Sequence, residues 1–327
     1  MIAAIRTLKR CLTPMALVCG AAALAQDKPP DYPVRPIRII ISVAPGAGAD
    51  YMARATAQML LDKWGQNAVV DSRPGGSGVV AVELLARSSP DGYTMLQYGD
   101  GMLLIRAQKR VSFDVFKAFD PVVSSSTQPY GLLVNVNVPV TSIKELIALS
   151  AVKPVTFSGG NGVGSSVHMG VERLGTASGM KLKYVPYKGA APSILAVMGG
   201  EIQMACASGM ASTAAVRTGK VRAIATTGAK RLASLPDVPT VAEQGVPGYK
   251  LTNRYNLWVP AGTPPAIIAA INRVVTEGMN APQMVQRLAA DGSEPAERMT
   301  PQELRAALAT EYAEVERSVI ALGQKSR

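Results

Sequence analysis

Two glycine-rich segments of the sequence carry the residue types that hold small anions. One spans residues 45–50 (PGAGAD) and the other spans residues 159–166 (GGNGVGSS). Glycines let the backbone approach a ligand closely, and a helix that begins after such a loop offers free N–H groups and the positive end of its dipole. The two segments predict a carboxylate site built from backbone N–H groups and hydroxyls. Simple tight turns, with Asp50 and Ser166 as helix N-caps, are the alternative.

Three further loops belong to the same candidate site because each follows a predicted strand and precedes a helical stretch or turn. They are residues 99–101, 187–190 and 207–209. In open α/β sheets, ligands bind beyond the carboxyl ends of the strands. We therefore expect these loops to meet the two glycine-rich segments at one edge of a sheet.

Other kinds of chemistry fit the sequence less well. No phosphate-binding GxxxxGK[ST] run occurs, and Tyr51 stands where a dinucleotide fingerprint needs glycine or alanine. The single histidine, His168, and one mature cysteine, Cys206, cannot supply a usual zinc site. We expect neither a cofactor nor a metal.

Hydrolysis by Ser166 or Cys206, with His168 as the base, is the enzymatic alternative. No GxSxG elbow occurs, however, and Cys206 between two alanines is typical of a small buried residue. The hypothesis that we favour gives His168 a different task, which is to fix the glycine-rich loop by hydrogen bonding.

A repeated order of β-branched run, loop and helical stretch would position these loops. Strands are predicted over 37–43, 68–71, 93–98, 131–136, 155–157, 182–185, 202–207, 221–226 and 252–259. Helices are predicted over 50–64, 79–87, 166–174, 192–198, 210–218, 265–279 and 301–322, with capping boxes at Ser142/Glu145 and Thr300/Glu303. This alternation predicts an α/β fold with parallel sheets covered by helices.

The first 25 residues predict a secretory signal peptide. Arg6, Lys9 and Arg10 precede the mostly apolar run 11–24, and Ala23-Leu24-Ala25 fits the cleavage rule for signal peptidase. The mature protein would begin at Gln26. It would carry no lipid, because valine and not a small residue precedes Cys19.

Composition narrows the class of partner. The formal charge of +11 falls to +8 when the three basic residues of the signal are removed. No run of five basic residues occurs and aromatic residues make up 5% of the chain, which argues against nucleic acid. A small anionic ligand fits better, although a merely soluble basic surface is an equally simple interpretation. The 302 mature residues, 327 minus 25, suffice for two domains, and one cysteine permits no disulfide.

Taken together, several motifs resemble those of the Bug proteins, the substrate-binding receptors of tripartite tricarboxylate transporters. They run in order through nearly the whole mature chain: YPVRPIR at 32–38, PGAGAD at 45–50, RPG at 73–75, PDGYT at 90–94, His168, VPYKG at 185–189, LPDVPTVAE at 235–243 and PAGTP at 260–264. Each motif alone is weak, but the set is specific.

The resemblance implies a two-lobed type II periplasmic binding protein, a Venus flytrap with its ligand cleft between the lobes. Residues 26–130 and 251–327 would form one lobe and 131–250 the other, with crossovers near 129–131 and 250–252. The expected partners are a small carboxylate and a membrane permease, with no nucleic acid, and the protein would be a monomer. The expected ligand-binding residues are Pro45, Gly46, Ala47, Gly48, Asp50, Gly99, Asp100, Asn161, Gly162, Gly164, Ser165, Ser166, His168, Tyr187, Ala207, Ser208 and Arg254.

Two positions depart from what the family often has. Ala207 stands where an acidic residue is common, and Arg254 stands where a tryptophan is common. These departures argue against amino acids and for a dicarboxylate, a tricarboxylate or an aromatic acid. We expect Arg254 to bind a second carboxylate, unless it points to solvent. A sensory receptor for a signalling partner is the alternative among binding proteins.

Overall fold

Within the part of the chain that the structure describes, ten strands and eleven α-helices alternate. This computed structural model describes residues 29–43, 45, 48–160, 162–187, 189–290, 292–321 and 323, so the predicted signal peptide lies outside the described residues. The strands are β1 (Ile37–Ile41), β2 (Ala68–Ser72), β3 (Thr94–Tyr98), β4 (Phe119–Asn135), β5 (Val155–Gly159), β6 (Leu182–Tyr184), β7 (Met204–Ser208), β8 (Val221–Thr226), β9 (Thr252–Pro260) and β10 (Glu294–Pro295). The helices are α1 (Gly48–Trp64), α2 (Val79–Ala86), α3 (Gly101–Ala107), α4 (Val115–Ala118), α5 (Ile143–Val152), α6 (Ser166–Ser178), α7 (Ala190–Met198), α8 (Gly209–Val216), α9 (Pro265–Met279), α10 (Pro282–Ala290) and α11 (Pro301–Ala321).

The long strand β4 joins two groups of strands. The strand order is β2-β1-β3-β9-β4-β7-β5-β6, and β8 and β10 also pair with β4. Residues 119–129 of β4 pair with β9, whereas residues 130–135 pair with β7 and β8. One half of this strand therefore belongs to each group, and the chain passes between the groups at Tyr130.

The first group of strands is covered on both faces. In β1, Ile39 and Ile41 pack with α1 and α9, while Ile40 packs on the opposite face with α2, α3 and α11. Successive side chains of a strand point to opposite faces, so a strand buried on both faces is apolar at nearly every position. This explains why the sequence IRIII could be predicted as a buried strand.

The second group repeats this arrangement with other helices. Leu132, Val134 and Phe157 pack with α5 and α6, while Leu133 and Ala205 pack on the other face with α7 and α8. Each group thus has its own core on each face of its strands. A smaller apolar contact, Leu104 with Met169 and Val319, joins α3 and α11 of the first group to α6 of the second.

The strands form parallel and antiparallel pairs, whereas the alternation of elements predicted parallel sheets. β1 pairs in parallel with β2 and β3, and β5 pairs in parallel with β6 and β7, but every pairing of β4 is antiparallel. The strands that pass between the two groups are antiparallel to the strands beside them. The two groups with their helices match the predicted two-lobed α/β class, while the boundaries at 130/131 and 250/251 stay a prediction.

Local helix signals explain where several helices begin. Thr300 Oγ1 accepts a hydrogen bond from Glu303 N–H at 3.2 Å, and Glu303 Oε2 accepts one from Thr300 N–H at 2.8 Å, which is the predicted capping box. At α5, Ser142 Oγ accepts from Glu145 N–H at 3.2 Å, but the Glu145 carboxylate reaches Thr141. In this predicted capping box the Glu145 carboxylate is therefore shared between Thr141 and the backbone of Ser142.

Candidate ligand-binding site

The loop between β1 and α1 reaches the candidate site at Gly48. A Cβ atom at this position would lie 2.4 Å from Tyr255 Oη and 3.2 Å from Gln128 Oε1, so only glycine fits the approach of this helix to β4 and β9. Pro45 is exposed, while Gly46 and Ala47 lie outside the described residues. The first helical N–H groups of α1 thus begin directly beside two polar side chains of the strands that join the lobes.

Asp50 does not cap α1, because the helix already begins at Gly48. Its side chain is buried in the first turn, and its Oδ2 accepts a hydrogen bond from Arg54 Nε at 3.0 Å. An acidic residue in the first turn stabilises the positive end of a helix. We assign Asp50 this task, and its predicted contact with a ligand stays a prediction.

Two hydrogen bonds hold the loop between β5 and α6 in place. Gly164 adopts φ +76°, a conformation that favours glycine, and its N–H group donates to His168 Nδ1 at 2.9 Å. Its carbonyl oxygen accepts from Nε2 of Gln108, the residue that follows α3, at 3.1 Å, which ties the loop to the other lobe. The Gly164 N–H group is therefore already hydrogen-bonded to His168. A Cβ atom added at Gly162 would have no neighbour within 4 Å. Asn161 lies outside the described residues.

His168 performs the task that the sequence predicted for it. It is buried between Phe157 and Tyr184, whose ring centroids lie 6.1 and 4.0 Å from that of His168. Burial lowers the pKa of His168 to about 4, so the ring is neutral at pH 7. Since Nδ1 accepts a hydrogen bond, Nε2 carries the proton, and it lies 3.7 Å from Glu172 Oε1.

The serines of this loop have divided roles. Ser165, not Ser166, is the N-cap of α6, and its Oγ accepts from the His168 N–H group at 3.3 Å. Ser166 instead forms a side-chain hydrogen bond with Tyr130, the β4 residue at which the chain passes between the lobes. Burial holds the pKa of Tyr130 well above its usual range, so the phenol stays neutral.

Three polar residues that the sequence did not predict complete this region. Tyr255 Oη donates to Gln128 Oε1 at 3.2 Å, and burial raises the pKa of Tyr255 to about 12. Asn253 Oδ1 accepts from the Asp100 N–H group at 3.2 Å and would meet any Cβ at Gly99 at 2.2 Å. The sequence of a strand does not show which of its faces meets a ligand. These three residues could therefore be recognised only from the tertiary structure.

Asp100 and Arg254 lie next to each other, and neither points freely to solvent. Asp100 Oδ2 accepts from the backbone N–H of Arg254 at 3.1 Å, and Arg254 Nη2 contacts Glu311 Oε1 of α11 at 2.5 Å. Burial first, and then the charge of Glu311, raise the pKa of Asp100 to about 7. The binding role predicted for Arg254 is untested by this geometry, but its charge is already paired.

The remaining predicted residues lie at the edges of this arrangement. The Tyr187 hydroxyl donates to Glu201 Oε2 at 2.9 Å, and Ala207 is buried in the core against α7 and α8. Ser208 caps α8, where a Cβ at Gly209 would lie 2.6 Å from the carbonyl oxygen of Gly292 in the other lobe. Among the described residues, no hydrogen bond links any of these three side chains to Tyr130.

Catalysis and metal binding find little support in the described residues. Burial raises the pKa of Cys206 well above its usual range, and the accepting nitrogen of His168 is occupied by Gly164. Within the described ranges, no cluster of histidine, cysteine and acidic residues is arranged to hold a metal ion. No helix in that part of the chain combines the length and apolarity needed to cross a membrane.

Two lobes joined by β4, with glycine-bearing loops and polar side chains where they meet, define a solute-binding protein, and this class agrees with the comparisons. The family described as tripartite tricarboxylate transporter family receptor matches residues 52–323. BugT of Bordetella pertussis is 31% identical over 308 residues, which cover 92% of this chain and 94% of BugT. The chain therefore belongs to the tripartite tricarboxylate transporter receptors, the family of the Bug proteins.

Two solved structures share the fold over most of the chain. Rpa4515 of R. palustris, described with adipate, superposes with a TM-score of 0.81 at 31% identity and covers 90% of this chain and 99% of its own. MatC from Rhodopseudomonas palustris, described with bound malate, has a TM-score of 0.78 at 25% identity and covers 88% and 100%. These similar proteins are solute-binding proteins, and the two-lobed fold predicted from the sequence is confirmed.

The neutral state of His168 predicts a pH dependence of stability. Because the folded pKa, about 4, lies below the unfolded value of about 6.5, the contribution of His168 is complete above pH 6.5 and is lost as the pH falls to 4. Denaturant unfolding should show that the wild type loses on the order of 2–3 kcal/mol more than His168→Asn between pH 7 and pH 4. Since the chain has no other histidine, equal losses in the two proteins would show that His168 is not buried in the neutral state.

Proposed function

We propose that this chain is a periplasmic solute receptor that binds a small organic carboxylate and delivers it to a membrane permease of the tripartite tricarboxylate type. Adipate and malate in the similar proteins Rpa4515 and MatC support the ligand class. Family membership supports the permease as the partner. The chain acts as a monomer in this proposal, without a cofactor.

The observation that carries the proposal is the convergence of two helix starts on the polar side chains between the lobes. Gly48 at the start of α1 lies against Tyr255 and Gln128, and Ser166 at the start of α6 is hydrogen-bonded to Tyr130. Both helices exceed eight residues, at 17 and 13, so each start presents N–H groups without partners in the helix. A carboxylate between them would receive hydrogen bonds from both lobes.

Such a carboxylate would be held mainly by neutral donors. Tyr130 keeps its phenolic proton at neutral pH, since burial raises its pKa, whereas the proton of Tyr255 is donated to Gln128 Oε1. Hydrogen bonds from neutral groups aimed at a fixed point replace the lost hydration of an anion without a paired cation. In this proposal the loops at 45–50 and 160–168 contribute backbone and hydroxyl donors, and the ligand-binding residues expected from the sequence remain part of the proposal.

The lobes would close around the ligand by a hinge at 129–131 and 250–252. Pairing of β4 changes between Pro129 and Gly131, and β9 begins at Thr252. The Thr227 hydroxyl links these two crossings, because it accepts from Tyr130 N–H at 2.9 Å and donates to Leu251 oxygen. A hinge needs only a few residues at the ends of elements to absorb the rotation.

Ligand binding and closure are tested together on the mature protein. A thermal-shift screen against small carboxylates should give hits, because a ligand that binds only the native state raises the melting temperature. At a ligand concentration of 100 times Kd the expected stabilisation is about 2.7 kcal/mol. Small-angle scattering with the best acid should then show a smaller radius of gyration. Uncharged amides of the same acids should change neither the melting temperature nor the radius of gyration.

No shift with any acid would contradict the proposed ligand class. A hit without compaction would keep the ligand class and contradict the hinge.

Export to the periplasm is the remaining part of the proposal. It rests on the basic and apolar segments of residues 6–24 and on the cleavage motif that ends at Ala25. Intact-mass measurement of protein recovered from the cell envelope should give a chain that begins at Gln26 without acylation. A lipid-modified Cys19 at the N-terminus, or an uncleaved chain, would show the prediction to be wrong.

A further inference from the structure

The polar cluster of Asp100, Arg254 and Glu311 contains two buried atoms without a hydrogen-bond partner among the described residues. They are Asp100 Oδ1, an acceptor, and Arg254 Nη1, a donor. Two other atoms of the pair have partners, since Asp100 Oδ2 accepts from the Arg254 backbone and Arg254 Nη2 contacts Glu311. Buried polar atoms are almost always satisfied, so an acceptor and a donor without partners in the same cluster call for a specific explanation.

The cluster adjoins the proposed ligand site. Asp100 lies at the carboxyl end of β3, in the loop before α3, and its charge acts on the phenols of both Tyr130 and Tyr255. Those phenols contact Ser166 and Gln128, beside the starts of α6 and α1. A ligand held at the helix starts would therefore lie within the electrostatic reach of Asp100, whose neighbour Arg254 is paired with α11.

The charges around Asp100 decide which chemical group fits there. Glu311 of α11 adds a second negative charge, and Arg254 of β9 and Lys250 just before it add two positive charges. Tyr130 of β4 and Tyr255 of β9 face the same region as neutral phenols. The cluster is close to neutral as it stands, so an additional anion would find Arg254 already paired and Asp100 repulsive.

We propose that Asp100 and Arg254 bind the second polar group of the ligand and that this group is a hydroxyl, so that the receptor prefers hydroxy-substituted monocarboxylic acids to dicarboxylates. This inference rests on the proposed carboxylate receptor. A hydroxyl both donates and accepts, so it satisfies Asp100 Oδ1 and Arg254 Nη1 at once. It thereby takes the place of the second carboxylate that the sequence led us to expect at Arg254.

The charge state of Asp100 makes the preference depend on pH. With a pKa of about 7, Asp100 is mostly ionised at pH 8, where it accepts from a hydroxyl and repels a carboxylate. At pH 6 it is mostly protonated and can donate to a carboxylate, while simple carboxylic acids, with pKa values of about 4, stay mostly ionised. The affinity for a diacid should therefore rise as the pH falls, and the preference for the hydroxy acid should shrink.

Calorimetric titration of the mature protein with matched acids tests the inference. One series is hexanoate, 6-hydroxyhexanoate and adipate, and the other is benzoate, 4-(hydroxymethyl)benzoate and terephthalate. In the series that binds better, the hydroxy acid should bind at least about tenfold more tightly than the diacid at pH 8, because like charges brought together at a binding site cost several kcal/mol. This ratio should fall at pH 6.

Two variants should relax the preference by raising an affinity, a result that misfolded protein cannot give. Asp100→Asn keeps an acceptor oxygen but loses the charge, so it should bind the diacid about tenfold more tightly than the wild type at pH 8 and lose the pH dependence of the ratio. Glu311→Gln should shift the ratio in the same direction, since it frees Arg254. Asp62→Asn, an exposed residue of α1 that contacts Gln58, removes the same charge and should leave the ratio unchanged.

The outcomes separate this inference from the proposed function. Equal or tighter binding of the diacid by the wild type at pH 8, with no gain in Asp100→Asn, would overturn the hydroxyl assignment and leave the carboxylate receptor intact. A hydroxy acid that binds no better than the unsubstituted acid would do the same. Failure of both series to bind at all would overturn the carboxylate site and this inference with it.

Discussion

The hydrogen-bonded strand β4 is the constraint on which the rest of the molecule depends. Its residues 119–129 complete one group of strands and residues 130–135 complete the other, so neither lobe can form its central sheet without this strand. The change of partner falls at Tyr130, and this residue also contacts the start of α6 through Ser166. The strand that unites the lobes therefore also places a buried hydroxyl where they meet.

The electrostatics of the region follow from burial more than from net charge. The mature chain carries a formal charge of +8, yet Arg254, the cation that the sequence predicted at the site, is paired with Glu311. His168 is neutral, both tyrosines stay protonated, and Asp100 titrates near pH 7. An anion would be recognised here by oriented backbone and hydroxyl dipoles, which are effective because the surrounding protein excludes water.

The sequence predicted the elements whose signals are local. Helix α9 begins and ends at the predicted residues, because Pro265 opens it and apolar residues recur at helical spacing through Val275. Most of β4 was missed, since Pro121, Ser124–Ser126 and Pro129 lack a strand pattern and are buried only through pairing with β9. The helices α3, α4 and α10 were missed as well, the first two being short and poorly marked.

The candidate site was likewise predicted only where its signals are local in the sequence. The spacing of glycines indicated the loops before α1 and α6. The single histidine, His168, indicated the hydrogen bond that holds the loop before α6. Tyr130, Tyr255, Asn253 and Gln128 were missed because each becomes a site residue only when β4 and β9 lie side by side. Arg254 was singled out by its unusual position, but its partner Glu311 lies 57 residues away and no local pattern connects them.

Amide hydrogen exchange can show whether one anion receives hydrogen bonds from both lobes. Exchange should be measured with and without the best-binding acid, and peptides covering the starts of α1 and α6 should be compared with peptides from α9. Both helix starts should become protected together, while α9 should stay unchanged. Protection confined to one of the two helix starts, or spread equally over α9, would contradict this expectation.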